Sequence, residues 1–130
     1  MDDRPLQEIY GGILARIAAA RHPEYAERPD PPRRQRPRVG FISEFLRRHS
    51  IWKTHGAWIT RSGKVIEKYV YYTGADFDEG YTSAIREAAD LFIRETSVAR
   101  LIPVIAGHGL DVLVYLDHGM SVDLQIAAAL

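Results

Sequence analysis

Five histidines, at positions 22, 49, 55, 108 and 118, are the side chains of this 130-residue chain that can exchange protons near neutral pH. None is spaced as H-x-x-x-H or H-E-x-x-H, so a zinc site is not expected. There is no cysteine, which removes disulfides, zinc–thiolate sites and thiol nucleophiles. Asp76-Phe77-Asp78 has the form D-x-D, a pattern that can hold a metal-bound sugar nucleotide. In a loop ahead of a helix the same two carboxylates are read more simply as acids facing the helix dipole. Gly107-His108-Gly109 lacks the third glycine and the strand-before-helix setting of a dinucleotide loop, and no P-loop or G-x-S-x-G elbow occurs.

Two histidines stand out by position. His49 follows the run Arg38-Val39-Gly40-Phe41-Ile42-Ser43, and His118 follows Asp111–Leu116 (DVLVYL). Both runs are apolar and rich in β-branched residues, as expected of parallel strands buried on both faces. The first and fourth strands of a doubly wound sheet are commonly neighbours across its switch point, where ligands bind beyond the carboxyl ends. Both imidazoles could then face one crevice, as a base or as a hydrogen-bond donor to a sugar or phosphate. The plainer alternative for each is a loop histidine bonded to backbone. Asp117 has three readings: orienting His118, binding a hydroxyl, or capping the last helix.

The elements that position these residues follow from periodicity. Leu6, Ile9, Tyr10, Ile13, Leu14 and Ile17 recur at helical spacing, giving an amphipathic helix over about 5–20 within an N-terminal segment 1–21. Five prolines (23, 29, 31, 32 and 37) make residues 22–37 a stiff, extended linker. Arg33, Arg34, Arg36 and Arg38 cluster there. With no aromatic residues between them, they read as a solvated linker and not as a nucleic-acid patch. From 38 to 130 strands and helices alternate. Strands are expected at 39–43, 65–72, 91–93 and 111–116. Helices are expected at 51–60, from Thr82 or Ser83 through 89, from a Ser97 cap to Gly107, and from a Ser121 cap to the end. Pro103 is expected to kink or shorten the third of these helices. This order predicts an α/β fold with a parallel sheet of about four strands and helices on both faces.

Composition is that of an ordinary globular protein, 46% hydrophobic and 26% charged. The net charge of zero hides an asymmetry. Residues 1–74 carry 14 Lys and Arg against 8 Asp and Glu, and residues 75–130 carry 3 against 9. A globally basic nucleic-acid binder is disfavoured. Asp2, Asp3 and Arg16 fit neither a signal peptide nor a membrane span, so a cytoplasmic protein is expected.

The run 38–43, then Phe45, Arg47-Arg48-His49-Ser50 and Trp52-Lys53, resembles the opening of the catalytic region of the O-linked N-acetylglucosamine transferases. These are the SPINDLY-like, tetratricopeptide-repeat glycosyltransferases of family 41. Tyr71-Tyr72-Thr73-Gly74 resembles that family's second-strand ending. Residues 109–120 resemble its fourth strand and crest, and residues 127–130 the start of the helix beyond. The resemblance implies a Rossmann-like half of a GT-B fold, preceded by a helix and a Pro-rich linker. It implies inverting, metal-independent transfer of a sugar, GlcNAc from UDP-GlcNAc, to Ser or Thr of a protein acceptor. No cofactor is implied beyond the sugar-nucleotide co-substrate, and no nucleic-acid or membrane partner.

On the same resemblance His49 matches the family's active-site histidine, and Ser43, Asp117 and His118 are expected on the substrate. The second Rossmann half and the tetratricopeptide repeats would lie outside these residues. The half-domain 38–130 is therefore expected to be truncated at its C-terminus and inactive by itself. Tyr72 departs from the family, whose members often carry histidine there. The alternative function is a non-catalytic α/β module that binds a nucleotide, a phosphate or a protein.

Overall fold

The computed structural model describes residues 2–25, 30–75, 79–117, 120 and 127–128. Two compact units are formed, one by residues 31–117 and one by residues 1–30 with 118–130.

The larger unit is a four-stranded parallel sheet. Its strands are β1 (Arg38–Ser43), β2 (Glu67–Tyr72), β3 (Leu91–Arg94) and β4 (Val112–Tyr115), in the spatial order β3-β2-β1-β4. Helices α2 (Ser50–Thr60), α3 (Tyr81–Ala88) and α4 (Val98–Gly107) connect them. The chain steps outward from β1 to β3, then crosses back to put β4 on the other side of β1. The switch point therefore lies between β1 and β4, as the sequence predicts.

Register assigns the two faces. Phe41 pairs with Val70 and Val114, and Val70 pairs with Phe92, so these side chains share one face. Phe41, Val70 and Tyr72 form the main core there with Leu46, Ile59 of α2, Ile85 of α3 and Leu116. The other face carries Gly40, Ile42, Tyr69 and Tyr71. On it Tyr71 is fully buried, and its hydroxyl lies 2.7 Å from Nδ1 of His108, which caps α4. Burial pushes the Tyr71 phenol well above its ordinary range, with a smaller contribution from Tyr69. It lowers His108, helped by the charge of Arg38. A neutral tyrosine–imidazole pair thus pins the end of α4 to the sheet. Gly40 permits this close layer, because a Cβ there would lie 2.5 Å from Leu110 Cδ1 and 2.8 Å from Leu113 Cδ1.

The linker arginines are not merely solvated. Arg34 Nη1 donates to both carboxylate oxygens of Asp111 at 3.2 Å, and the Arg38 backbone N–H donates to Asp111 Oδ2 at 2.7 Å. Arg38 Nε donates to Glu67 at 3.0 Å, and Arg36 Nη2 donates to the Ile66 carbonyl at 3.0 Å and sits 3.8 Å from Asp90. Asp90 also accepts from the Lys68 backbone N–H at 2.8 Å. These contacts tie the amino ends of the strands together, at the edge opposite the switch-point crest. Arg33 alone of the four is exposed.

Other boundaries differ from expectation for identifiable reasons. β2 starts at Glu67, and Val65 is exposed in the turn that contains Gly63 at φ +61°. Thr82 does not cap α3, which starts at Tyr81 with Gly80 as its N-cap residue. The buried Thr82 hydroxyl donates instead to the Leu46 carbonyl at 2.9 Å. Ser97 does cap α4, accepting from the Arg100 N–H at 3.4 Å, and α4 continues past Pro103 to Gly107. The chain turns at Gly109 with φ +56°.

In the smaller unit α1 (Arg4–Arg21) buries Leu14 and Ala18, with Ile17 against them. Leu6, Ile9, Tyr10 and Ile13, which continue the same stripe, are exposed and not core. The Ser121 cap and the Asp76-Phe77-Asp78 loop lie outside the described residues. Among the described residues no helix is long and apolar enough to cross a membrane.

Candidate functional site

β1 ends at Ser43, and Ser43, His49 and Asp117 gather around that end. The Ser43 hydroxyl accepts from the Phe45 N–H at 2.9 Å, turning the chain away from the sheet. The peptide before that is held from beyond β4, where Asp117 Oδ2 accepts from the Glu44 N–H at 3.0 Å. On the other side, the Thr73 N–H beyond β2 donates to the Ser43 carbonyl at 3.0 Å. Ser43 and Asp117 are both buried, at 0% and 2% exposure.

Asp117 is an acid in an expensive place. Burial pushes its carboxyl above the ordinary aspartate value. The N–H groups of Glu44 and Asp117, the Ser43 hydroxyl and the charge of His49 offset part of that rise. Its Oδ1, and the Oγ1 of Thr73, are buried without a hydrogen-bond partner among the described residues. An acceptor and a hydroxyl without hydrogen-bond partners among the described residues thus flank β1 at its carboxyl edge.

His49 is the N-cap of α2. Its backbone is extended, and its Nδ1 accepts from the Ile51 N–H at 3.3 Å. The imidazole stacks on Phe45, with ring centroids 4.3 Å apart and planes 20° from parallel. It is half-buried, between exposed Arg48 and exposed Ser50. Arg47 places its guanidinium carbon 5.7 Å from the centroid of Phe45.

The loop after β2 forms the other shoulder. Arg94, at the end of β3, donates from Nε to the Gly74 carbonyl at 3.2 Å and from Nη2 to the Ala75 carbonyl, and it lies over Tyr72. A Cβ at Gly74 would run into the Glu44 carbonyl, so glycine here lets the two crests pack.

The structure therefore brings Ser43, His49 and Asp117 to one edge, while His118 lies outside the described residues. Among the described residues no group of acids and histidines is disposed to hold a metal ion. Thr73 and Phe45 stand in the sequence only within the resembling runs, with no role of their own. The signal for Phe45 was present as an aromatic four residues before a histidine. A separate apolar hollow of about 440 Å³ lies beside Ala57, Trp58, Arg61 and Ile66. It sits at the far end of α2 from His49, roughly 16 Å along the helix axis.

No family model and no curated protein matches this sequence. A solved structure of the Thermobaculum terrenum O-GlcNAc transferase, mutant K341M, is similar to it, with a TM-score of 0.55 and 22% sequence identity. The likeness covers 76% of this chain and 21% of that one, so the chain spans about a fifth of that protein's length. The fold is a Rossmann-like α/β unit with a parallel sheet flanked by helices, of the kind that forms one half of a GT-B fold.

Proposed function

We propose that this chain forms one wall of the cleft of a protein O-glycosyltransferase of the O-linked N-acetylglucosamine (family 41) type. It would serve transfer of a sugar, GlcNAc from UDP-GlcNAc, to Ser or Thr of a protein acceptor, inverting and without a metal. The observation that carries the reading is that His49 and Asp117 both lie at the carboxyl edge of β1, in a unit that resembles one half of such an enzyme. In this reading His49 contacts the reacting groups, and Ser43, Asp117 and His118 meet the substrate. A second Rossmann half, and tetratricopeptide repeats ahead of it, are its partners.

The chemistry fits a one-wall role. Sugar transfer needs the leaving diphosphate stabilised by cations or a helix N-terminus, and a cleft closed to water. Arg34, Arg36 and Arg38 are committed to the opposite edge. The test is an amide NMR titration of the 130-residue chain with UDP-GlcNAc and, separately, with a Ser/Thr-rich acceptor peptide. Shifts confined to 43–50, 73–75 and 117 are expected with at least one of them. No response there to either would sink the reading.

A further inference from the structure

The cap bond on His49 is long. At 3.3 Å it lies just beyond the roughly 2.7–3.2 Å of N–H···O bonds, and alone it would let the ring flip and exchange Nδ1 for Cδ2. The ring is nevertheless held, because one of its faces is covered by Phe45 in a near-parallel stack. Phe45 is itself fixed from three directions. Its N–H is bonded to Ser43 Oγ, its carbonyl accepts from the Arg47 N–H at 2.8 Å, and the peptide before it is held by Asp117. The Arg47 guanidinium lies near its ring. A connected set of contacts thus runs from the ends of β1 and β4 to the imidazole.

An imidazole whose Nδ1 accepts a hydrogen bond carries its proton on Nε2 when neutral. In His49 that nitrogen has no partner among the described residues. We infer that Phe45 is a positioning residue that locks His49 in the Nε2–H tautomer, so that this histidine donates a hydrogen bond to a ligand oxygen and is not a general base. To accept a proton at Nε2 the ring would have to release the Ile51 N–H and give up its cap on α2. The inference deepens the proposed function and rests on it for the identity of the ligand, but the lock itself does not depend on any sugar.

The experiment is two-bond ¹H–¹⁵N correlation NMR on the 130-residue chain labelled at histidine, read at a pH where His49 is neutral. The native chain is expected to show a single Nε2–H pattern for His49, with its ring protons displaced by the Phe45 ring current. Phe45→Leu should lose that displacement and give mixed tautomers, and Phe45→Tyr should restore both. An Nδ1–H pattern in the native chain overturns the inference. So does a Phe45→Leu spectrum unchanged at His49. The native reading needs no variant, so poor folding of Phe45→Leu leaves the test intact. If the lock is seen but UDP-GlcNAc and peptide give no response, the glycosyl reading fails and the positioning stands.

Discussion

Asp117 combines burial with an unpaired oxygen, and that combination has a pH signature. Its folded-state carboxyl is raised, mainly by desolvation. Between the unfolded value, about 3.9, and that raised value the folded chain holds more protons than the unfolded chain. Asp117 therefore contributes most to stability at low pH, and the contribution is lost as pH rises through the raised value. Asp117→Asn keeps an acceptor for the Glu44 N–H and carries no charge. Urea unfolding at a series of pH values should show the variant gaining on the native chain from acid toward neutral pH. A native chain that gains instead would mean that the hydrogen bonds to Asp117 outweigh its burial. The sequence could place this acid after a strand. It could not reveal the missing partner of Oδ1, which depends on how β4 sits beside β1.

The sheet is secured at both ends by contacts between elements far apart in sequence. Asp111, ahead of β4, holds Arg34 and the Arg38 N–H, residues 77 and 73 positions away. Asp111→Ala leaves that N–H without its acceptor and should cost about 1–3 kcal/mol, whereas Arg33→Ala at the exposed neighbour should change stability by less than about 0.5 kcal/mol. Equal effects in chemical denaturation would show that the clamp contributes nothing. At the carboxyl edge, Gly74→Ala drives a methyl group against the Glu44 carbonyl. A cost of about 1–3 kcal/mol is expected, with amide shifts carried into 44–49. Shifts confined to 73–75 would mean that the two crests are not coupled.

What could be read in advance at this scale was the strands, because β-branched and aromatic runs are local. The arginine clamp and the buried hydroxyl of Thr82 could not be read. Each is decided by a partner on another element, and local patterns place arginines near prolines in solvent and a threonine before a helix at its cap.

For the whole molecule, the parallel sheet and the β1–β4 switch point were legible from the alternation of elements, and they carry the prediction about turnover. An open α/β unit offers one crest of loops, and His49, Asp117, Thr73 and Gly74 all lie on it. In the proposed reading this crest orients the acceptor and the sugar. Departure of the nucleoside diphosphate must be assisted by cationic or helix N-terminal groups facing it across a cleft. The cap of α2 is already occupied by His49 Nδ1 and the linker arginines bind the opposite edge; Arg47 and exposed Arg48 lie on this crest, but one wall leaves them open to water. Incubation of the 130-residue chain with labelled UDP-GlcNAc and an acceptor peptide, with and without EDTA, is therefore expected to give no appreciable transfer. Transfer that proceeds readily in EDTA would place leaving-group stabilisation within these residues and overturn the one-wall reading, while leaving the metal-independent chemistry intact. Transfer that EDTA abolishes would point to a cation site and overturn both.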